Sequence, residues 1–446
     1  MKTPDFKKIP SKEILLESDT CRRWSALLGR LHVSRIIDNV LSRLKSEASK
    51  EGIPEEKDLL QGIDDECREI YRIRVIRVIN ATGIVLHTNM GRSPISPEVW
   101  DACKGVNTGY SNLEFNLKTG KRGKRNGILP ILVSLLTGSE ASMVVNNNAA
   151  AVFLVLQALA KGKEVVVSRG EQVQIGGGFR IPEILSLSGA RLVEVGTTNI
   201  TTLEDYKKAF SESTACVLSV HRSNFALRGF TSQPTLSELK SILPPGVFLY
   251  MDQGSGVLRG SMKGEIPVES ILKQGADLVS FSCDKVLGGP QGGIIAGKAN
   301  LIRKLETHQL YRVFRPGKTI YSLLEEMLLW RVNGTFSPAE GMPADVPTLM
   351  DRAHAVAAAV NSPLLEVVST ECSTGGGSGP DETYPSAGLR IAVKNADSFL
   401  TNLRNEPVPV VGYIINGSVY LDLVAVDPHD DALLAETVKR CLGAFS

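Results

Sequence analysis

The seven cysteines of this 446-residue chain (Cys21, Cys67, Cys103, Cys216, Cys283, Cys372 and Cys441) never fall into a C-x-x-C spacing. Their scatter argues against a zinc ribbon or a disulfide framework and suits a reducing compartment. The chain has no apolar run long enough, free of charges and breakers, for a signal-peptide core or a membrane span, so a soluble, cytoplasmic protein is expected. It has no internal repeat, no Walker loop and no G-x-G-x-x-G in its proper strand-to-helix context. Neither sign of charge dominates. The formal net charge is +2, so an anionic partner must be met by a local patch. What remains is the composition of a globular enzyme, 43% hydrophobic and 22% charged.

From Ala141 the pattern becomes regular. Short apolar runs at 143–145, 164–167, 191–195, 215–220, 247–251 and 278–281 read as strands. Helical patterns lie between most of them, at 149–160, 181–187, 203–210, 235–242 and 268–274. Strands alternating with helices at this spacing predict an α/β domain with a mainly parallel sheet. Ligands of such sheets sit at the C-terminal strand ends. Polar clusters occur at those ends: Asn146-Asn147-Asn148, Ser168 to Glu171, His221 to Asn224, Asp252, and Asp284-Lys285. These clusters are expected to line one site.

Two members of that set carry a chemical reading. Asp252 ends one strand, and Lys285 follows another about thirty residues later. A buried lysine loses its proton easily and can form a Schiff base. A carboxylate that keeps a pyridine nitrogen protonated, paired with such a lysine, is what pyridoxal 5'-phosphate needs. Each residue alone also reads as an ordinary turn residue. Asn146, Asn147 and Asn148 precede a helix. They read as caps and, through the N–H groups at the helix start, as a phosphate site.

The flanks are different. Residues 1–70 read as helices forming a small appendage. Arg22, Arg23, Arg30, Arg35 and Arg43 make it locally basic, which fits a solvated face or a surface for a phosphate backbone. Arg92, after Gly91, reads as a loop arginine or an anion clamp. The stretch 116–126 holds five cations and two glycines, and reads as a mobile charged loop or an anion cradle. Arg312 and Arg315, three apart, are expected to share a helical face and to grip one anion. Residues 348–446 read as an α+β unit, with the glycine-rich 373–379 as a flexible loop.

Long motifs then point to a family. INATGIVLHTNMGR (79–92), VVNNNAAAVF (144–153), VVVSRGEQVQIGGGFRIPEI (165–184), DQGSG (252–256), SFSCDKVLGGPQGGII (280–295) and LYRVFRPGKT (310–319) together resemble the bacterial selenocysteine synthases, the L-seryl-tRNA(Sec) selenium transferases. The resemblance runs over nearly the whole chain. It implies a fold-type-I, aspartate aminotransferase-like pyridoxal phosphate enzyme with a helical tRNA-binding domain (1–70), a large α/β domain (71–335) and a small α+β domain (336–446). It implies that Lys285 carries the cofactor and that Asp284 is needed for catalysis; from the clusters at the strand ends, Glu171, His221, Ser223 and Asn224 are expected to join Asp252 and the three asparagines around the cofactor. It also implies an anion pocket of Arg92, Arg312 and Arg315 for selenophosphate, tRNA contacts by Arg22, Arg23, Arg30 and Arg35, and a homo-oligomer built as a pentamer of dimers. The expected product is selenocysteinyl-tRNA(Sec), formed by loss of water and addition of selenium to a dehydroalanyl group. This chain departs from the pattern at Gln253, where a leucine is expected, at Cys283, where a small residue is expected, and near Gly317, where an aspartate is expected; the stretch 125–128 is also unusual. Other readings of the same residues are a pyridoxal phosphate lyase or transferase for a small free amino acid, and a cofactor-binding RNA or scaffold protein without turnover.

Overall fold

The structure, a computed structural model, describes residues 9–51, 55–175, 178–335, 337, 339, 341–342, 344–379 and 382–443. The chain divides into two compact units, 1–78 and 79–446.

The first unit is four helices, Lys12–Leu16, Asp19–Leu28, Arg30–Glu51 and Glu56–Arg72. Ser11 and Ser18 cap the first two, each accepting a backbone N–H through its hydroxyl. Gly29, at φ 87°, separates the second helix from the third, a turn that glycine makes without a Cβ clash. Pro54, the expected break before the last helix, lies outside the described residues. Leu15, Trp24, Val33, Ile36, Ile37, Leu59 and Ile63 form the core. Within it, the buried Asp64 carboxylate accepts Trp24 Nε1 (2.7 Å), Arg23 Nη2 (2.5 Å) and Arg68 Nη2 (2.6 Å). Burial opposes the Asp64 charge, but the donors outweigh it and hold the carboxyl below its ordinary value.

In the second unit a seven-stranded sheet runs in the order Ala141–Val145, Gly293–Gly297, Leu278–Ser282, Phe248–Gly254, Thr214–Val220, Glu164–Ser168, Arg191–Val195. The expected strands and the helices between them are present, with ends displaced by a few residues. Gly293–Gly297 is antiparallel to both neighbours, and the other pairs are parallel. Alternate residues of one strand serve two cores. Leu249 and Met251 pack on one face with Leu129, Leu324 and Leu328. Phe248 and Tyr250 pack on the other with Leu154, Leu156 and Ile302. Both faces are covered, which is why these strands read as unbroken apolar runs.

A second, five-stranded sheet runs Tyr413–Ile415, Ser418–Asp422, Tyr384–Ile391, Leu365–Gly375, Ile84–Leu86. Helices Val346–Val360, Ala396–Asn405 and Asp431–Gly443 cover it around Phe399, Leu389 and Leu434. Ile79 and Ala81 join this core although they precede the first sheet in the chain. The stretch 373–379, expected as a flexible loop, begins as strand: Ser373 and Gly375 pair with Ile84 and Leu86. It then turns through Gly375, Gly376 and Gly377, all at positive φ.

Candidate active site

The strands holding Asp252 and Lys285 are neighbours. Tyr250 to Asp252 pair with Leu278 to Ser280, which sets the aspartate beside the strand that leads to Asp284-Lys285. Gly256, at φ 83°, lets the chain turn away: a Cβ there would meet Ser282 O at 2.5 Å. The Val286 N–H donates to Ser255 O (3.0 Å), so the turn after Asp252 and the turn holding Lys285 brace each other.

Lys285 is buried, and its amine has no hydrogen bond among the described residues. Burial, and then the nearby Arg92 guanidinium, push its pKa down; Asp252, Asp284 and Glu265 oppose this. A built Cβ on Gly254 would lie 3.9 Å from Nζ, so the glycine leaves the amine room. Asp252 is also buried. Desolvation lifts its carboxyl, while Asn148 Nδ2, which donates to Oδ1 at 2.7 Å, and Lys285 pull it down.

Arg92 Nη1 donates to Asp284 Oδ2 at 2.6 Å. Arg92 holds φ 63°, unusual for a residue with a Cβ, and follows Gly91 at φ 88°. Its backbone is thus held in a costly conformation that presents the guanidinium to the residue before Lys285.

The three asparagines divide their work. The Asn146 N–H donates to Phe314 O (2.8 Å). Asn147 caps the helix Asn148–Leu159, its Oδ1 accepting Ala150 N. Asn148 reaches Asp252 and keeps a buried Oδ1 with no hydrogen-bond partner among the described residues. A Cβ on Gly293 would sit 2.5 Å from Asn147 backbone atoms, so that glycine admits the helix start.

On the other side of Asp252, the His221 N–H donates to Asp252 O (2.9 Å), and the Ser223 N–H donates to His221 O (2.9 Å). Glu171 is buried, and Ser219 Oγ donates to its Oε1 at 3.0 Å. Desolvation pushes the Glu171 pKa up to about 7, against the pull of Ser219. Glu171, Ser219, His221 and Arg222 line a cavity of about 490 Å³. Asn224 is exposed and donates to Gln174 O (2.8 Å).

The three arginines have different surroundings within the chain. The helix expected to carry both Arg312 and Arg315 is the short Tyr311–Phe314. Pro316 disfavours helical backbone at the preceding residue, and Arg315 is extended, at ψ 132°. The two therefore do not share a helical face. Arg315 Nη1 donates to Glu114 Oε1 (3.3 Å), which also accepts Arg125 Nε (2.5 Å), while Arg312 is exposed. In the helical unit, Arg22 and Arg30 pair with Glu17, Arg23 pairs with Asp64, and Arg35 is exposed.

Sequence reasoning gave no role to Ser219, Glu114, Ser255 or Glu265, although Ser255 lies within the DQGSG motif. The buried Ser255 hydroxyl and Glu265 carboxylate have no hydrogen-bond partner among the described residues. The departures are accommodated. Gln253, fully buried, donates to Ile266 O (3.2 Å) and accepts Gly256 N (2.8 Å), stitching the turn below the site. Cys283 is buried against Gly292, and Gly317 stands open at a helix start.

The residues fit pyridoxal phosphate. The Lys285 amine matches an aldehyde. Asp252 is a buried carboxylate whose charge a ring N–H would relieve. The N–H groups of Asn148 and Ala149 at a helix start lack protein acceptors among the described residues, as a phosphate requires.

Comparison with known proteins agrees. Residues 78–427 match the L-seryl-tRNA selenium transferase family. The L-seryl-tRNA(Sec) selenium transferase of Campylobacter concisus is 39% identical, covering 98% of this chain and 99% of that protein. That of Geobacter metallireducens is 39% identical, covering 97% and 98%. A solved structure of D-glucosaminate-6-phosphate ammonia-lyase shares the fold at a TM-score of 0.57 and 21% identity, covering 84% of this chain and 98% of that one. Matched across most of its length, the chain belongs to the L-seryl-tRNA selenium transferase family.

Proposed function

We propose that the chain converts L-seryl-tRNA(Sec) to L-selenocysteinyl-tRNA(Sec). The observation that carries this is the pairing of a buried amine at Lys285 with a buried carboxylate at Asp252, on adjacent strands of a chain that belongs to this family. The family uses pyridoxal phosphate, which when bound supplies an electron sink for charge developing at the seryl Cα. Asp252 holds the proton on the cofactor's ring nitrogen. Lys285, which burial biases toward the neutral amine, takes the Cα proton. Asp284, oriented by Arg92, assists the departing β-hydroxyl, which leaves as water. Water takes the phosphoryl group of the selenium donor as the P–Se bond breaks; the released HSe⁻ adds to the β-carbon of the dehydroalanyl group on the tRNA, and Lys285 returns a proton to Cα.

The donor is taken to be selenophosphate, held by Arg92 together with Arg312 and Arg315. Within one chain Arg92 pairs with Asp284, Arg315 pairs with Glu114 and Arg312 is exposed, so we infer that a second copy completes the pocket. Trp100, Tyr110, Phe115, Leu117, Ile131 and Leu135 support self-association, since all are large, apolar and exposed on the single chain. A pentamer of dimers is the assembly the resemblance implies. The helices of 1–70 are assigned to tRNA, with the guanidinium groups of Arg22, Arg23 and Arg30 exposed while their ion pairs fix them. Residues 71–335 are assigned to the cofactor and 336–446 to a smaller domain. No described helix is long and apolar enough to cross a membrane.

The test is transfer of labelled selenium from selenophosphate to seryl-tRNA(Sec) by the purified protein. Label appearing as selenocysteine after deacylation is expected. Label that does not depend on seryl-tRNA(Sec), or its absence with cofactor bound, would contradict the proposal.

A further inference from the structure

Once Lys285, Asp252, Asp284 and Glu171 have been placed, one buried charge beside the site has no role. The Glu265 side chain is 0% exposed, and neither carboxylate oxygen has a hydrogen bond among the described residues. A buried carboxyl group without a hydrogen bond is expensive, so the basic group nearest to it matters. That group is the His221 imidazole, whose Nε2 lies 3.1 Å from Glu265 Oε2, in contact but not aligned as a hydrogen bond. Glu265 is fixed in place: its N–H donates to Met262 O (3.1 Å), closing a turn through Gly264 at φ 77°. A Cβ on that glycine would lie 3.6 Å from Gly379.

His221 links this carboxylate to the cofactor site. It follows Val220, the register partner of Asp252, and its own N–H donates to Asp252 O. The charges that act with it are Glu265, the Asp252 carboxylate and the Glu171 carboxyl, with Arg222 close to the last. An imidazolium at His221 favours the ionised form of both Asp252 and Glu171. Glu265 is the negative group that stabilises such an imidazolium.

We propose that Glu265 is a positioning residue: its carboxylate holds the His221 ring in place and protonated, and the imidazolium in turn supports the ionised Asp252 required by the cofactor's ring nitrogen. This rests on the placement of the cofactor at Asp252 and Lys285, but not on the identity of the seryl substrate.

The test is cofactor retention by the full-length holoenzyme, followed by absorbance after equilibrium dialysis between about pH 6 and pH 9. Glu265→Gln is expected to lower the pH at which cofactor is lost by about one unit, and so to weaken retention about tenfold at the intervening pH. Glu265→Asp, with its carboxylate drawn back from Nε2, is expected to shift the limit in the same direction by less, and it carries the comparison if Glu265→Gln does not fold. In a His221→Asn background, Glu265→Gln is expected to add nothing. A direct action of Glu265 on Lys285 predicts the opposite shift, because the amine would lose its proton more readily without the neighbouring negative charge. An unmoved limit, an upward shift, or an additive effect in the His221→Asn background overturns the proposal. Wild-type protein that binds no cofactor would overturn both this proposal and the site assignment beneath it, and is distinguishable from those three results.

Discussion

Replacing Glu171 with glutamine should stabilise this protein, and only above a definite pH. Desolvation lifts the Glu171 carboxyl from 4.5 to about 7 in the folded chain. Between those values the folded protein keeps a proton that the unfolded chain has released. The wild type therefore loses stability as pH rises through that window, relative to a variant that cannot titrate there. The gap between 4.5 and about 7 corresponds to about 3 kcal/mol. Glu171→Gln keeps the shape and can still accept the Ser219 hydroxyl, so the two proteins should match below about pH 4 and diverge to about 3 kcal/mol in favour of the variant by about pH 8. The assay is denaturant unfolding of both proteins, loaded with cofactor, across that range, with the slope checked for constancy. Titrations common to the two proteins cancel in the difference. A difference that stays flat with pH, or a wild type that gains on the variant as pH rises, would refute the reasoning.

Lys285→Ala should abolish the absorbance of the bound cofactor while leaving the fold intact by circular dichroism; a variant retaining that band would refute the assignment. Gly256→Ala places a side chain at φ 83° with its Cβ 2.5 Å from Ser282 O. It should cost roughly 1–3 kcal/mol in thermal unfolding and lower cofactor occupancy, since the turn braces the one holding Lys285. Asp64→Ala removes the acceptor of the buried Trp24 indole and the partner of Arg23 and Arg68. The arginine side chains are 59% and 44% exposed, so most of the loss, about 1–3 kcal/mol, falls on the indole. Trp24 fluorescence should report melting of the helical unit at lower temperature, with the cofactor band unchanged.

The parallel strands were legible because both their faces are buried, so they appear as apolar runs closed by polar residues. Gly293–Gly297 is equally buried, but its glycines carry no strand preference, and nothing local tells that it runs antiparallel. Leu365–Gly375 was missed because it is largely half-exposed, and its serines, threonines and glutamates look like a connection. In the site, Asp252 and Lys285 could be read from their places at strand ends. The Arg92–Asp284 pair joins residues 192 apart in the chain, and no local pattern encodes it. Glu265 lies between a glycine and an isoleucine in a loop, where only the fold shows that its carboxylate is enclosed against His221. The shared face expected of Arg312 and Arg315 failed for a reason visible in the sequence, the proline after Arg315.

The measurement that bears most directly on the central claim is the absorbance of the cofactor-loaded protein before and after addition of seryl-tRNA(Sec) and, separately, of free serine. A spectral change is expected with the charged tRNA alone, and it is expected to be lost in Lys285→Ala. A change with free serine and none with seryl-tRNA(Sec) would contradict it and assign the site to a small amino acid.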